Sequence, residues 1–80
     1  PGHPQAGDWL HNAAALWLES GRLVPAWNAV QQALAIRSRT LGDGNPATAQ
    51  TLATLALLLR GMGQPHAALQ AGRRALAALD

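Results

Sequence analysis

Three histidines, four acidic residues and six arginines carry nearly all the ionisable chemistry of this 80-residue chain, which has no cysteine, lysine or tyrosine. Their spacing builds no reaction centre. His3, His11 and His66 lack the i, i+4 pairing and the acidic company of a metal site, so no metal is expected. There is no Ser–His–acid arrangement, no pair of carboxylates set to converge, and no Gly-x-x-x-x-Gly-Lys loop. Gly61 and Gly63, around Met62, are explained by a turn between helices. The chain is therefore expected to have no enzymatic activity and to need no cofactor, which leaves recognition as the chemistry its side chains can perform.

Composition narrows the class further. The formal net charge is only +2, and the very basic isoelectric point follows from having nothing to titrate between His and Arg. As a field this is weak, so nucleic acid is not an expected partner. Apolar runs are a few residues long, far short of a membrane span. No basic segment precedes an apolar one at the N-terminus, so no secretory signal and a cytoplasmic location are expected. A chain of this length buries only about 60 to 65 % of its unfolded surface, and without disulfides it must rely on helix packing.

The elements that would position any binding residues follow from an internal repeat. Gly2 and Pro4 match Gly44 and Pro46, 42 positions on, and the register continues without a gap. Leu10 falls on Leu52, Ala14 on Ala56, Gly21 on Gly63, Ala26 on Ala68 and Ala33 on Ala75. In each unit a Pro suits the first turn of a helix, and Asn45 stands ready to cap the one that opens at Pro46. Leu52, Leu55, Leu58 and Leu59 form a stripe at helical spacing before "GMG" ends it. Pro25 and Pro65 sit early in the next helices, whose apolar faces run through Leu23, Ala26, Val30, Ala33, Leu34 and Ile36, and through Ala68, Leu69, Ala75, Leu76 and Leu79. Each unit reads as a helical hairpin, with "GDGNP" at 42–46 as the joint between two of them. Hairpins bury their second faces by stacking.

The small residues that carry the period resemble those of the tetratricopeptide repeat. That pattern has a small residue midway along helix A, a Gly closing it, and two Ala seven residues apart on helix B. Here these are Ala14, Gly21, Ala26 and Ala33, then Ala56, Gly63, Ala68 and Ala75. Trp17 takes the late aromatic position of helix A, and Leu10 and Leu52 the early bulky one. The segment "ALAIRSRTLGDGNPATAQTLATLALLLRGMGQ" is similar to the longer repeats of kinesin light chains and of bacterial arrays. The resemblance implies an all-α fold: one domain over residues 1–80, built as two hairpins (about 3–41 and 45–80) stacked in a short right-handed solenoid. Departures are Leu59, where an aromatic is usual, and Gly72, which leaves its helix weak or closely packed at about 1 kcal/mol relative to Ala. Two units fall short of the roughly three that a stable stack needs. The chain is thus expected to belong to a longer array or to self-associate.

By the same resemblance, the protein binds a peptide or protein partner on the concave face of helix A. The implied contacts are Asp8, His11, Asn12, Ala15, Leu18 and Glu19, then Gln50, Ala53, Thr54, Leu57 and Arg60. Asn12 falls where related repeats hold a peptide backbone, a role needing a donor and an acceptor together; the alternative is a solvated polar residue. Arg60 could grip a carboxylate with its planar fork. Arg37, Arg39, Arg73 and Arg74 are expected on the outward, solvated face of helix B, and His3 in the joint. Trp9 and Trp27 are candidates for self-association, with Trp9 alternatively folding back over "GHP". A second functional reading follows from these: an assembly element, either a homo-oligomer or part of a regulatory array.

Overall fold

Alanine- and leucine-rich segments punctuated by Gly and Pro fold into four helices: α1 (Pro4–Glu19), α2 (Leu23–Leu41), α3 (Pro46–Gly61) and α4 (Pro65–Ala78). The structure is a computed structural model describing residues 4–78, so Gly2, His3, Leu79 and Asp80 lie outside the described residues.

The repeat seen in the sequence is repeated in the backbone. Gly21 and Gly63 both take a left-handed φ, 75° and 77°, a region where a β-carbon would crowd the following carbonyl. Around them the same bonds recur. Arg22 N–H donates to the Trp17 carbonyl and Gln64 N–H to that of Leu59, each at 2.9 Å, so both helix A ends close in the same way. At the joint, the Asn45 side chain accepts from Ala47 N–H at 2.8 Å and caps α3, with Pro46 in its first turn. Thr48 donates its hydroxyl to the Gly42 carbonyl at 2.8 Å, and Ser38 bonds Asp43 across the turn.

α1 packs on α2 and α3 on α4, and α3 also lies against the first hairpin, mainly on α2. The core forms where Leu52, Leu55 and Leu58 of α3 meet Ala14, Ala26 and Val30. Small side chains let the helices approach closely. Their burial is unequal, however: Ala14 and Ala26 are sealed, whereas Ala56 and Ala68, their counterparts one unit on, are half-buried, and of the third pair Ala33 is fully buried and Ala75 is 7 % exposed. The first hairpin is covered by the second, and the far side of the second is open.

That asymmetry corrects several expectations. Leu69 and Leu76, assigned to an apolar packing face, are exposed. The same asymmetry leaves Leu16 exposed, while Leu58, 42 positions on, is fully buried. Trp17 is 37 % exposed, with the Arg22 guanidinium 5.7 Å from its ring centre. A β-carbon at Gly72 would meet nothing within 4 Å, so this glycine is not there for close packing.

Candidate functional site

Two features stand apart from the apolar core: a polar junction between the hairpins and an open groove on α3 and α4. The junction is built around Arg37, which is only 4 % exposed. Its guanidinium donates to the Ala47 carbonyl and to Thr51 Oγ1 at 2.9 Å, and to Asp8 Oδ1 at 2.7 Å. A fork with this many donors can join three helices at once. Gly7 makes room for it, since a β-carbon there would come within 3.1 Å of Arg37 Cγ. His11 is buried alongside, its Nδ1 3.3 Å from Thr51 Oγ1. Burial lowers the His11 pKa from 6.5, the Arg37 charge lowers it further, and Asp8 partly opposes the shift. The net effect favours the neutral ring at the junction.

Arg37 is thus no member of a solvated outer face. It enters the molecule because α3 supplies a carbonyl and a hydroxyl where helix B passes beneath it. Asp8 and His11, placed by the resemblance among the peptide contacts, are engaged in this junction. Asp8 remains partly open, whereas a ligand would have to displace packing to reach His11.

The groove lies between α3 and α4. Its walls include Ala53, Leu57, Arg60, Leu69, Gly72 and Leu76, and it encloses about 860 Å³ with an almost wholly apolar lining. Leu57, Leu69 and Leu76 are 52 %, 53 % and 67 % exposed, and Arg60 and Arg73 add positive charge. A move of 42 positions back explains what the groove is. Ala53 returns to His11, Ala56 to Ala14, Pro65 to Leu23, Leu69 to Trp27, Gly72 to Val30 and Leu76 to Leu34. In the first hairpin this same surface is covered: Ala14 and Val30 are sealed in the core, with Leu23, Trp27 and Leu34 packed against it. A β-carbon on Gly61 of α3 would lie 3.9 Å from Leu23. The groove is the second copy of the surface that receives α3, and no helix among the described residues lies on it.

Among the expected contacts, Gln50, Ala53, Leu57 and Arg60 come together in this groove. Thr54 is half-buried and donates to the Gln50 carbonyl of its own helix at 3.2 Å. Asn12 and Glu19 are exposed on α1, and Leu18 packs against the core. Trp9 is 69 % exposed, while Trp27 is half-buried against the core. Sequence reasoning missed Leu69, Gly72, Arg73 and Leu76 as site residues, because Leu69 and Leu76 were assigned to a packed face of helix B and Arg73 to its solvated one. The signal was present in the repeat itself: each stands 42 positions after a residue of the face that the second unit covers.

A family model of the tetratricopeptide repeat matches residues 7–80. The chain is a tetratricopeptide repeat protein. No curated protein and no solved structure matches it. Tetratricopeptide repeats act as protein-interaction modules, and the paired hairpins, recurrent glycine turns and small residues at the helix crossings are this family's architecture. Among the described residues, no helix is long and apolar enough to cross a membrane.

Proposed function

We propose that this tetratricopeptide repeat protein is a non-catalytic interaction module that receives a helical segment of a protein partner in the α3–α4 groove. The observation that carries the reading is the equivalence between this groove and the surface already occupied by α3. One copy of the surface holds an amphipathic helix, and the other offers the same apolar floor with three exposed leucines. Arg60 and Arg73 lend a preference for acidic residues flanking the apolar stripe of the bound helix. Leu57 supplies side-chain contact from α3, and Gln50 offers a donor and an acceptor.

The peptide clamp expected at Asn12 is a second mode on the same helix A surface, supported by the exposure of Asn12 on a rigid helix. Its half-kept counterpart Thr54 is turned to its own backbone, which favours the groove as the principal site. The location remains an expectation of the cytoplasm, in keeping with a protein-binding role.

Selection of a displayed library of peptides of α-helical length against the chain tests the reading. Binders with an i, i+3, i+4 apolar stripe and flanking acids are expected, and Leu69→Asp should abolish their binding while leaving the circular dichroism unchanged. Binders that tolerate Leu69→Asp and Leu57→Asp alike would place recognition elsewhere.

A further inference from the structure

On the groove reading, we infer that the helix seated there is α1 of a second copy of this chain, in a head-to-tail stack that continues the internal repeat. Three observations point to α1. First, α1 carries the stripe that such a seat requires: Ala6, Trp9, Leu10, Ala13, Leu16 and Trp17 stand 42 positions before Thr48, Thr51, Leu52, Leu55, Leu58 and Leu59, all of which α3 buries. In α1 the exposed members of this stripe are Trp9, Leu16 and Trp17, at 69 %, 65 % and 37 %, while Ala6, Leu10 and Ala13 are half-buried.

Second, side-chain sizes are exchanged between the two junctions. Inside the chain, small Thr51 of α3 meets large His11, 3.3 Å away. In the proposed contact the α3 position is filled by Trp9 and the His11 position by Ala53. Gly72, with open space above it, stands where the first hairpin has buried Val30. A bulkier helix than α3 needs this larger hollow, since cores are filled to near-constant density.

Third, the charges are complementary. α1 carries no arginine, and with Asp8 held by Arg37 of its own chain its remaining carboxylate is Glu19, whereas α3 and α4 carry Arg60, Arg73 and Arg74 and no acid. Placed as α3 is placed, α1 brings Glu19 to the level of Gly61, whose neighbour across the internal junction is Leu23. The counterpart of Leu23 is Pro65, so Glu19 arrives at the N-terminus of α4, beside Arg60, where the helix dipole also favours an anion.

The contact joins two different surfaces, so it leaves one free end of each kind and forms an open series rather than a closed dimer. Two variants test this, Trp9→Asp at one end and Leu69→Asp at the other, each checked for native helicity. Sedimentation equilibrium of the unaltered chain should show a mass rising steadily with concentration. Either variant alone should lose association by about tenfold or more, as expected for a central contact. Mixed together, the two should form a one-to-one dimer and nothing larger, through the one intact pair of ends. A chain that stays monomeric to millimolar concentration overturns the self-stack, while library peptides binding the groove would leave the partner reading standing. A variant mixture that fails to pair when the parent associates also overturns it, because the contact then uses other surfaces.

Discussion

Arg37 is the residue whose loss should be felt most widely, because α2, α3 and α1 meet on its guanidinium. Replacing it with Ala removes three charge-assisted hydrogen bonds and a buried stem, and should cost about 2 to 4 kcal/mol in a denaturant titration. Asp8→Asn should cost far less, about 1 kcal/mol or under, since the Asp8 side chain is 66 % exposed and water screens the pair. His11 adds a pH dependence of definite sign. Its folded-state pKa lies below 6.5, so under acid conditions the unfolded chain binds the extra proton first. Stability is therefore full above pH 6.5 and falls as the pH drops below it. Thermal melts between neutral and mildly acidic pH should show a falling midpoint, and His11→Gln should flatten that fall; an unchanged slope would remove His11 from the junction. Asn12 belongs to the alternative site. If the clamp operates, Asn12→Ala weakens a bound peptide by about 1 to 3 kcal/mol in a titration, and equal affinity rules it out. None of the junction was legible in the sequence. A lone Arg on a helix B reads as solvated, and only the arrival of Ala47 and Thr51 from a distant segment gives it partners.

Among the elements, α3 and its cap were the most legible and α4 the least. Asn45 and Pro46 announce the start of α3 by local chemistry, which tertiary packing has no reason to override. Asn45→Ala should cost about 1 kcal/mol by denaturant titration. The turns at Gly21 and Gly63 were equally plain, since the two recur at one spacing and need the same left-handed backbone. α4 was misjudged because periodicity marks an apolar face without saying whether anything covers it. Leu69 and Leu76 keep helical spacing and are nonetheless exposed. Gly72 is the weak point of this element, with open space around it. Gly72→Ala should stabilise the chain by about 0.5 to 1 kcal/mol, measured by thermal or chemical denaturation.

On the scale of the whole molecule, the fold is one surface used twice. α3 covers the first copy, and the second copy is the groove. This explains why the same residue types behave differently at the two ends: Leu58 is sealed and Leu16 is open, Val30 is sealed and its counterpart Gly72 leaves a hollow. The repeat could be read from the sequence, and so could the family, because turn residues and small crossing residues sit at fixed offsets. The groove could not, since helix A was taken alone as the binding face and the wall contributed by α4 is a consequence of packing. The measurement that bears most directly on the account is a methyl NMR map of a library-selected helical peptide titrated into the chain. Shifts concentrated on Leu57, Leu69 and Leu76, with the peptide becoming helical as it binds, are the expected result. Shifts confined to the surface around Asn12, with the three groove leucines unmoved, would contradict it.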